Sequence, residues 1–354
     1  MKAQLKTSEL KRKRIRRIIL LVFGVLIIAA LAIGYHLFNK MMAPNVHTPD
    51  QAEFHLYIPT GADFDQVKDS LYGHQIIVNR NSFEWLCQQK DYPQHVRPGH
   101  YVLSDGMANN QLVNMLRGGW QTPVRVTFNN MRDVAMLAGR ISRQIEADSI
   151  AIVRLLNNTD SLAAWGFNLQ TIPALFLPNT YEFYWNTDAW QFTKKMRQEY
   201  DKYWTEERKD KAKAIGLSPI QVSILASIVD KETNKTDEMA RIAGVYLNRL
   251  RDGWLLQADP TLVFAIGDFE IRRVLNIHKE VESPYNTYKY KGLPPGPICI
   301  PSLQSINAVL NAEKHNYYYF CAKEDFSGYH VFAKTLTEHN RNAQRYQHAL
   351  SRTL

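Results

Sequence analysis

Two acids, Asp230 and Glu232, lie near the end of the largely apolar stretch LSPIQVSILASIVDKET (Leu217–Thr233). Ser218 suits a helix N-cap, Pro219 the first helical position, and Gln221 completes a capping box. Val222, Leu225, Ile228 and Val229 then recur at helical spacing. A helix turns by about 100° per residue. Glu232 is therefore expected above Leu225, beside Ile228 and Val229, and Asp230 is expected to point toward solvent. A carboxyl on an apolar face loses hydration, which raises its pKa. Kept protonated near neutral pH, it can serve as a general acid. The plainer alternative is that Glu232 marks a fraying helix end and pairs with a lysine or arginine.

The other residues with chemical potential stand in turns that follow. Asn248 and Arg249 close a second helix, expected over Asp237–Leu250, which packs through Ile242, Ala243, Tyr246 and Leu250 and stops at Gly253. Gln257 and Asp259 lie in LLQADPT, and Tyr285, Asn286, Thr287 and Tyr288 in SPYNTY. Leu293–Ile298 (LPPGPI) is a rigid loop. Amide and tyrosine side chains suit sugar hydroxyls and acetamido groups, and aromatic faces suit sugar rings. Structural roles compete for the same residues. Asp259 before Pro260 fits an N-cap, Asn248 fits a backbone cap, and SPYNTY fits a plain turn.

These residues need elements to position them. The chain has 354 residues, 45% hydrophobic and 22% charged, a composition for folded domains rather than disorder. The net charge of +9 is concentrated in the tail 1–17, which alone carries +7, so no basic face for nucleic acid is indicated. Ile18–Phe38 is apolar and long enough to cross a bilayer, and too long for a signal-peptide core. The positive-inside rule leaves the tail in the cytoplasm and exports the rest. A polar linker (39–53) leads to a small α/β module (54–123) of the size of a binding unit. A mixed α+β domain (124–354) with a central helical pair follows. Within it, one long charged helix is expected over Trp190–Lys213. Cys87, Cys299 and Cys321 form no CxxC pair, so buried thiols are expected, with one optional disulfide left open. There is no HExxH, GxSxG or phosphate loop. His315, His330 and His339 have no metal spacing and read as surface or structural. No cofactor or metal is expected.

From Leu175 onward the chain resembles the MltG/YceG-like family of endolytic murein transglycosylases. The matching pieces are LPNTYEF (Leu177–Phe183), LASIVDKET (Leu225–Thr233), IAGVYLNRL (Ile242–Leu250), LLQADPT (Leu255–Thr261), SPYNTY (Ser283–Tyr288) and GLPPGPI (Gly292–Ile298). The tail YYYF…GYHVFAKTLTEHN (Tyr317–Asn340) matches too, and Val96–Gly119 resembles the family's LysM-like domain. The family's catalytic glutamate lies in an IVEKE-like segment. Here its first acid is Asp230 and its second is Glu232. The chain reads NNMRD (Asn129–Asp133) where an acidic Glu-Gly turn is common, and Cys299–Ser302 lacks the Asn and Gly of GPICNPG.

The resemblance implies an inner-membrane, single-pass protein with a periplasmic catalytic domain. It would cut nascent glycan strands between N-acetylmuramic acid and N-acetylglucosamine and leave 1,6-anhydro ends. Peptidoglycan strands, and the synthases or the elongation and division machinery, are the implied partners. Glu232 is the implied catalytic residue. Asn248, Gln257, Asp259, Tyr285, Asn286, Thr287 and Tyr288 are the substrate-contact set. Hydrolytic glycosidases normally need two carboxylates. In a lytic transglycosylase the substrate's own C6 hydroxyl would attack C1, so one carboxyl can give a proton to the leaving oxygen and then accept the C6 proton. Two other readings stand beside this one. One is a non-catalytic glycan-binding or divisome scaffold. The other is a muramidase hydrolase with Asp230 or Asp259 as second carboxylate.

Overall fold

The computed structural model describes residues 2–352; Met1, Thr353, Leu354 and the side chains of the basic tail up to Lys13 and of Gln51 lie outside the described residues. The chain is mixed α+β and divides into two units. Unit 1 comprises Met1–Val124 with Tyr184–Asn186, and unit 2 comprises Arg125–Phe183 with Thr187–Leu354.

Unit 1 begins with α1 (Lys2–Met42). Arg14–Met42 is long and apolar enough to cross a membrane, and its apolar side chains, such as Leu20, Phe23 and Leu31, are exposed. After it come β1 (Phe54–Ile58), α2 (Phe64–Gly73), α3 (Arg80–Gln89), β2 (Gly99–Leu103) and α4 (Asn109–Gly118). β1 and β2 pair antiparallel, from Phe54↔Leu103 to Ile58↔Gly99. Alternation along β1 turns Leu56 and Ile58 inward, where they meet Leu71, Phe83, Tyr101 and Leu112 in one core. The segment expected as a linker contributes to that core. Val46 is buried in it, and the Asn45 amide donates to Asn109 Oδ1 at 2.6 Å and to the Asn79 carbonyl at 3.0 Å. Polar sequence misled here because asparagines can be buried once their amides are satisfied.

Unit 2, from Arg125 onward, opens with the strand pair β3 (Val124–Phe128, its first residue still in unit 1) and β4 (Asn179–Phe183), whose chain connection holds α5 (Val134–Ile141), α6 (Ser149–Leu156) and α7 (Thr159–Ala164). The long charged helix expected next is two helices, α8 (Ala189–Tyr203) and α9 (Glu206–Ala214). Trp204 is buried between them, and Thr205 leaves helical geometry to cap the Arg208 amide of α9.

The central elements are α10 (Pro219–Glu232), α11 (Thr236–Arg251), the short α12 (Asp259–Ile266) and α13 (Leu303–Leu310). The Ser218–Gln221 capping box starts α10 as the sequence indicates. α10, α11 and α13 pack on one another. Gly244 lets α11 meet the chain after α13. A Cβ there would lie 2.4 Å from the Glu313 carbonyl oxygen. The antiparallel pair β5 (Tyr319–Ala322) and β6 (His330–Ala333) and the helix α14 (Leu336–Ser351) complete the unit. Cys87, Cys299 and Cys321 are free thiols.

Candidate active site

Glu232 is the last residue of α10, and Thr233 turns the chain out of the helix with extended backbone. α10 is buried almost all round, from Val222 to Asp230, rather than along one stripe. Asp230 therefore does not reach solvent as the helical azimuth predicts. It is 8% exposed, and its carboxylate accepts from Asn130 Nδ2 at 2.7 Å and from Ser302 Oγ at 2.5 Å. The azimuth separates the two acids correctly, but the second face is covered by the chain around Asn130 and Ser302. A buried carboxylate is tolerated when hydrogen bonds replace its water.

Glu232 has different surroundings. Its Oε1 accepts a hydrogen bond from the Tyr246 hydroxyl at 2.5 Å. Tyr246 stands on α11, is 1% exposed, and meets the Phe320 ring edge-on. Burial and the neighbouring carboxyl hold the Tyr246 phenol well above its ordinary range, so it stays a neutral donor. Burial also pushes the Glu232 carboxyl up to about 7, with the Asp259 charge adding to the rise. The Tyr246 hydrogen bond and the Arg249 charge oppose it. Arg249 is itself buried, its guanidinium donating to the carbonyls of Tyr318 at 2.7 Å and Leu256 at 2.5 Å. These bonds fix a positive charge near Glu232 without pairing it to any carboxylate.

Glu232 borders two cavities. One, of about 360 Å³, is lined by Tyr246, Arg249, Gln257, Asp259, Tyr288 and Tyr319, with Phe320, Leu336 and His339 completing the wall. The other, of about 830 Å³, shares Glu232 and Asp259 and continues past Lys231, Phe264, Phe269 and Arg272. The carboxyl thus stands where the two cavities meet.

Of the residues the sequence singles out, Glu232, Arg249, Gln257, Asp259 and Tyr288 come together here. Asp259 does not cap α12, whose N-cap is Ala258 and lacks a side-chain cap bond. Its Oδ1 instead accepts from the Tyr288 hydroxyl at 2.5 Å. Gln257 holds left-handed backbone (φ 49°), its backbone N–H donating to the Thr287 carbonyl. Strain of this kind costs about 1 kcal/mol or more and clusters at functional sites.

The remaining members build the walls. Asn248 spends its amide on the carbonyls of His315 and Tyr317. Asn286 is fully buried and donates to the carbonyls of Lys279 and Val281. The Thr287 hydroxyl pairs with that of Thr261 at 2.8 Å, and Tyr285 packs on Phe264. The LPPGPI loop docks on α10 through the Ile298 amide and Ser227 Oγ, 3.0 Å apart. His315 and His330 are structural, bonded to the Arg241 carbonyl and Glu238 respectively. His339 lies in the cavity wall with its ring stacked on Tyr319, and burial lowers its pKa.

In the sequence Tyr246 reads only as a packing residue of the second helix. A donor to Glu232 from the next helix leaves no periodic signal. The tyrosine among aliphatic neighbours at Ile242 and Ala243 is the only hint of it.

The sequence model of the YceG-like family matches residues 56–345. A protein of Bacillus subtilis (strain 168), named endolytic murein transglycosylase, is 27% identical over 329 residues, covering 88% of this chain and 90% of the relative. A protein of the same name from Streptococcus pneumoniae serotype 2 (strain D39 / NCTC 7466) is 24% identical over 356 residues. That alignment covers 92% of this chain but 64% of the relative. The crystal structure of a yceG-like protein from Listeria monocytogenes superposes with a TM-score of 0.54 at 26% identity, over 83% of this chain and 99% of that one. With the family match running through β1, the central helices and most of α14, the chain belongs to the YceG-like family.

Proposed function

We propose that the chain is a membrane-anchored endolytic murein transglycosylase in which Glu232 is the only acid and base. The observation that carries this is the Glu232 carboxyl, raised to about 7 and gripped by a neutral tyrosine at the junction of two cavities. Near neutral pH a large share of it is protonated. It gives its proton to the glycosidic oxygen as the bond from C1 of N-acetylmuramic acid to O4 of N-acetylglucosamine breaks. The C6 hydroxyl of the same muramyl residue bonds to C1, and its proton passes to the Glu232 carboxylate. The enzyme regains its starting state, and no water is consumed. Holding C6 near C1 gives the intramolecular attack a large effective molarity.

Tyr246 occupies Oε1, which leaves Oε2 to exchange the proton. Arg249 stabilises the carboxylate between the two transfers. Gln257, Asp259 and Tyr288 meet the sugar directly. Asn248, Tyr285, Asn286 and Thr287 act by holding the loops that do.

The basic tail and α1 support an inner-membrane anchor with the N-terminus in the cytoplasm and, in the periplasm, unit 2 and the part of unit 1 that follows α1. The β-α-α-β order of unit 1 supports its reading as a LysM-like module. Anchored in the membrane from which strands emerge, the enzyme limits their elongation beside the synthases.

Incubating the purified chain with uncrosslinked glycan strands tests this. Mass spectrometry should find 1,6-anhydromuramyl ends with wild type and none with Glu232→Gln. Asp259, in the same cavity as Glu232, favours one rival: a muramidase using it as second carboxylate. Reducing muramyl ends would select that rival. A scaffold would yield no new ends of either kind.

A further inference from the structure

The two cavities that meet at Glu232 differ in charge. The smaller is mainly aromatic, and its one fixed cation, Arg249, is already bonded to two carbonyls. The larger contains four cations, Arg132, Lys231, Arg272 and Arg273. All four are exposed, and none forms an ion pair among the described residues. Arg132 lies over the Phe269 ring at 4.0 Å, which orients its guanidinium without neutralising it. The two acids in the wall, Glu232 and Asp259, are shared with the smaller cavity, so the four cations are what distinguish the larger one; Phe264, Ile271 and Ile298 are prominent among its apolar residues. At about 830 Å³ the cavity has more than twice the volume of its neighbour, more than a sugar ring alone requires.

A murein strand carries the same asymmetry. Its sugar backbone is neutral. The peptide stem on the lactyl group of each muramyl residue carries carboxylates and short aliphatic side chains. We propose that the larger cavity is a subsite for the carboxylate-bearing stem of a muramyl residue adjoining the scissile bond. The enzyme would then discriminate stem-bearing strands from bare glycan. The inference rests on the transglycosylase reading of the site and adds its substrate specificity. Arginine suits the task because its planar fork binds carboxylates with two parallel hydrogen bonds.

The test is a binding measurement that does not depend on turnover. Full-length Glu232→Gln protein in neutral detergent micelles is titrated with uncrosslinked strands in three forms: stem-bearing, stripped of stems by an amidase, and stem-bearing with methyl-esterified carboxylates. Several exposed charge pairs together are expected to give about ten-fold tighter binding of the first form. The combined Arg132→Gln, Arg272→Gln, Arg273→Gln variant should bring that ratio to about one, and lysine at the same positions should keep most of it. Equal affinity for all three forms would overturn the proposal even if the variants failed to fold. So would a preference that the glutamine variant retains. Anhydro ends from the wild type, measured in parallel, decide the transglycosylase reading separately.

Discussion

The Tyr246 hydroxyl donates to Glu232 Oε1 across 2.5 Å, tying the last residue of one central helix to the middle of the next. This bond sets the direction of one carboxyl oxygen and moderates the pKa that burial raises.

Tyr246→Phe keeps the ring against Phe320 and removes only the donor. The hydrogen bond lowers the Glu232 pKa, so its loss should raise that pKa further above about 7. The alkaline limb of the pH–rate profile should move upward, and kcat should fall roughly ten-fold as the carboxyl loses its orientation. A profile unmoved in pH would show that the bond does not tune Glu232.

Stability should carry the same signature. The folded pKa of Glu232 lies above its ordinary value, so its contribution is intact below about 4.5 and is lost as pH rises through about 7. Glu232→Gln cannot ionise. The variant should therefore gain on wild type as pH rises from 5 to 8, reaching on the order of 1–3 kcal/mol in denaturant unfolding. A constant gap across that range would mean the carboxyl is not desolvated.

Asp230 should behave as a structural acid. Replacing it with alanine strands Asn130 and Ser302 and should destabilise the fold by about 1–3 kcal/mol. The chemical identity of the product ends should not change. Abolished cleavage by a folded Asp230→Ala protein would assign it a part in the chemistry.

Much of this site is legible in the sequence because local rules decide it. The Ser218–Gln221 box and the aliphatic spacing after it place Glu232 at a helix end on a packed side. The same rules fail for Asp230, because which faces of α10 are covered depends on Asn130 and Ser302, far away in the chain. They also fail for Asp259. Its sequence context is a cap, and its partner is a tyrosine in another loop. The join at Trp204–Thr205 divides a charge-rich run that reads as one helix; the buried indole and the Thr205 cap on the Arg208 amide together account for the break. Pairing between elements, rather than their existence, is what the sequence leaves unstated.

Gly244 is one such pairing. A methyl group there would press on the Glu313 carbonyl at 2.4 Å and the His315 ring at 2.7 Å. Gly244→Ala should destabilise unit 2 by about 1–3 kcal/mol in thermal or denaturant unfolding. Unchanged stability would mean that the helix and the chain after α13 separate without penalty.

The central claim is that a single carboxyl, Glu232, cleaves the strand without water. Cleavage in water enriched in oxygen-18, followed by mass spectrometry of the new muramyl ends, tests it most directly. Anhydro ends should form that are one water lighter than the hydrolysis product, carry no heavy oxygen, and are absent with Glu232→Gln. Muramyl ends that take up one heavy oxygen, or anhydro ends that persist with Glu232→Gln, would contradict it.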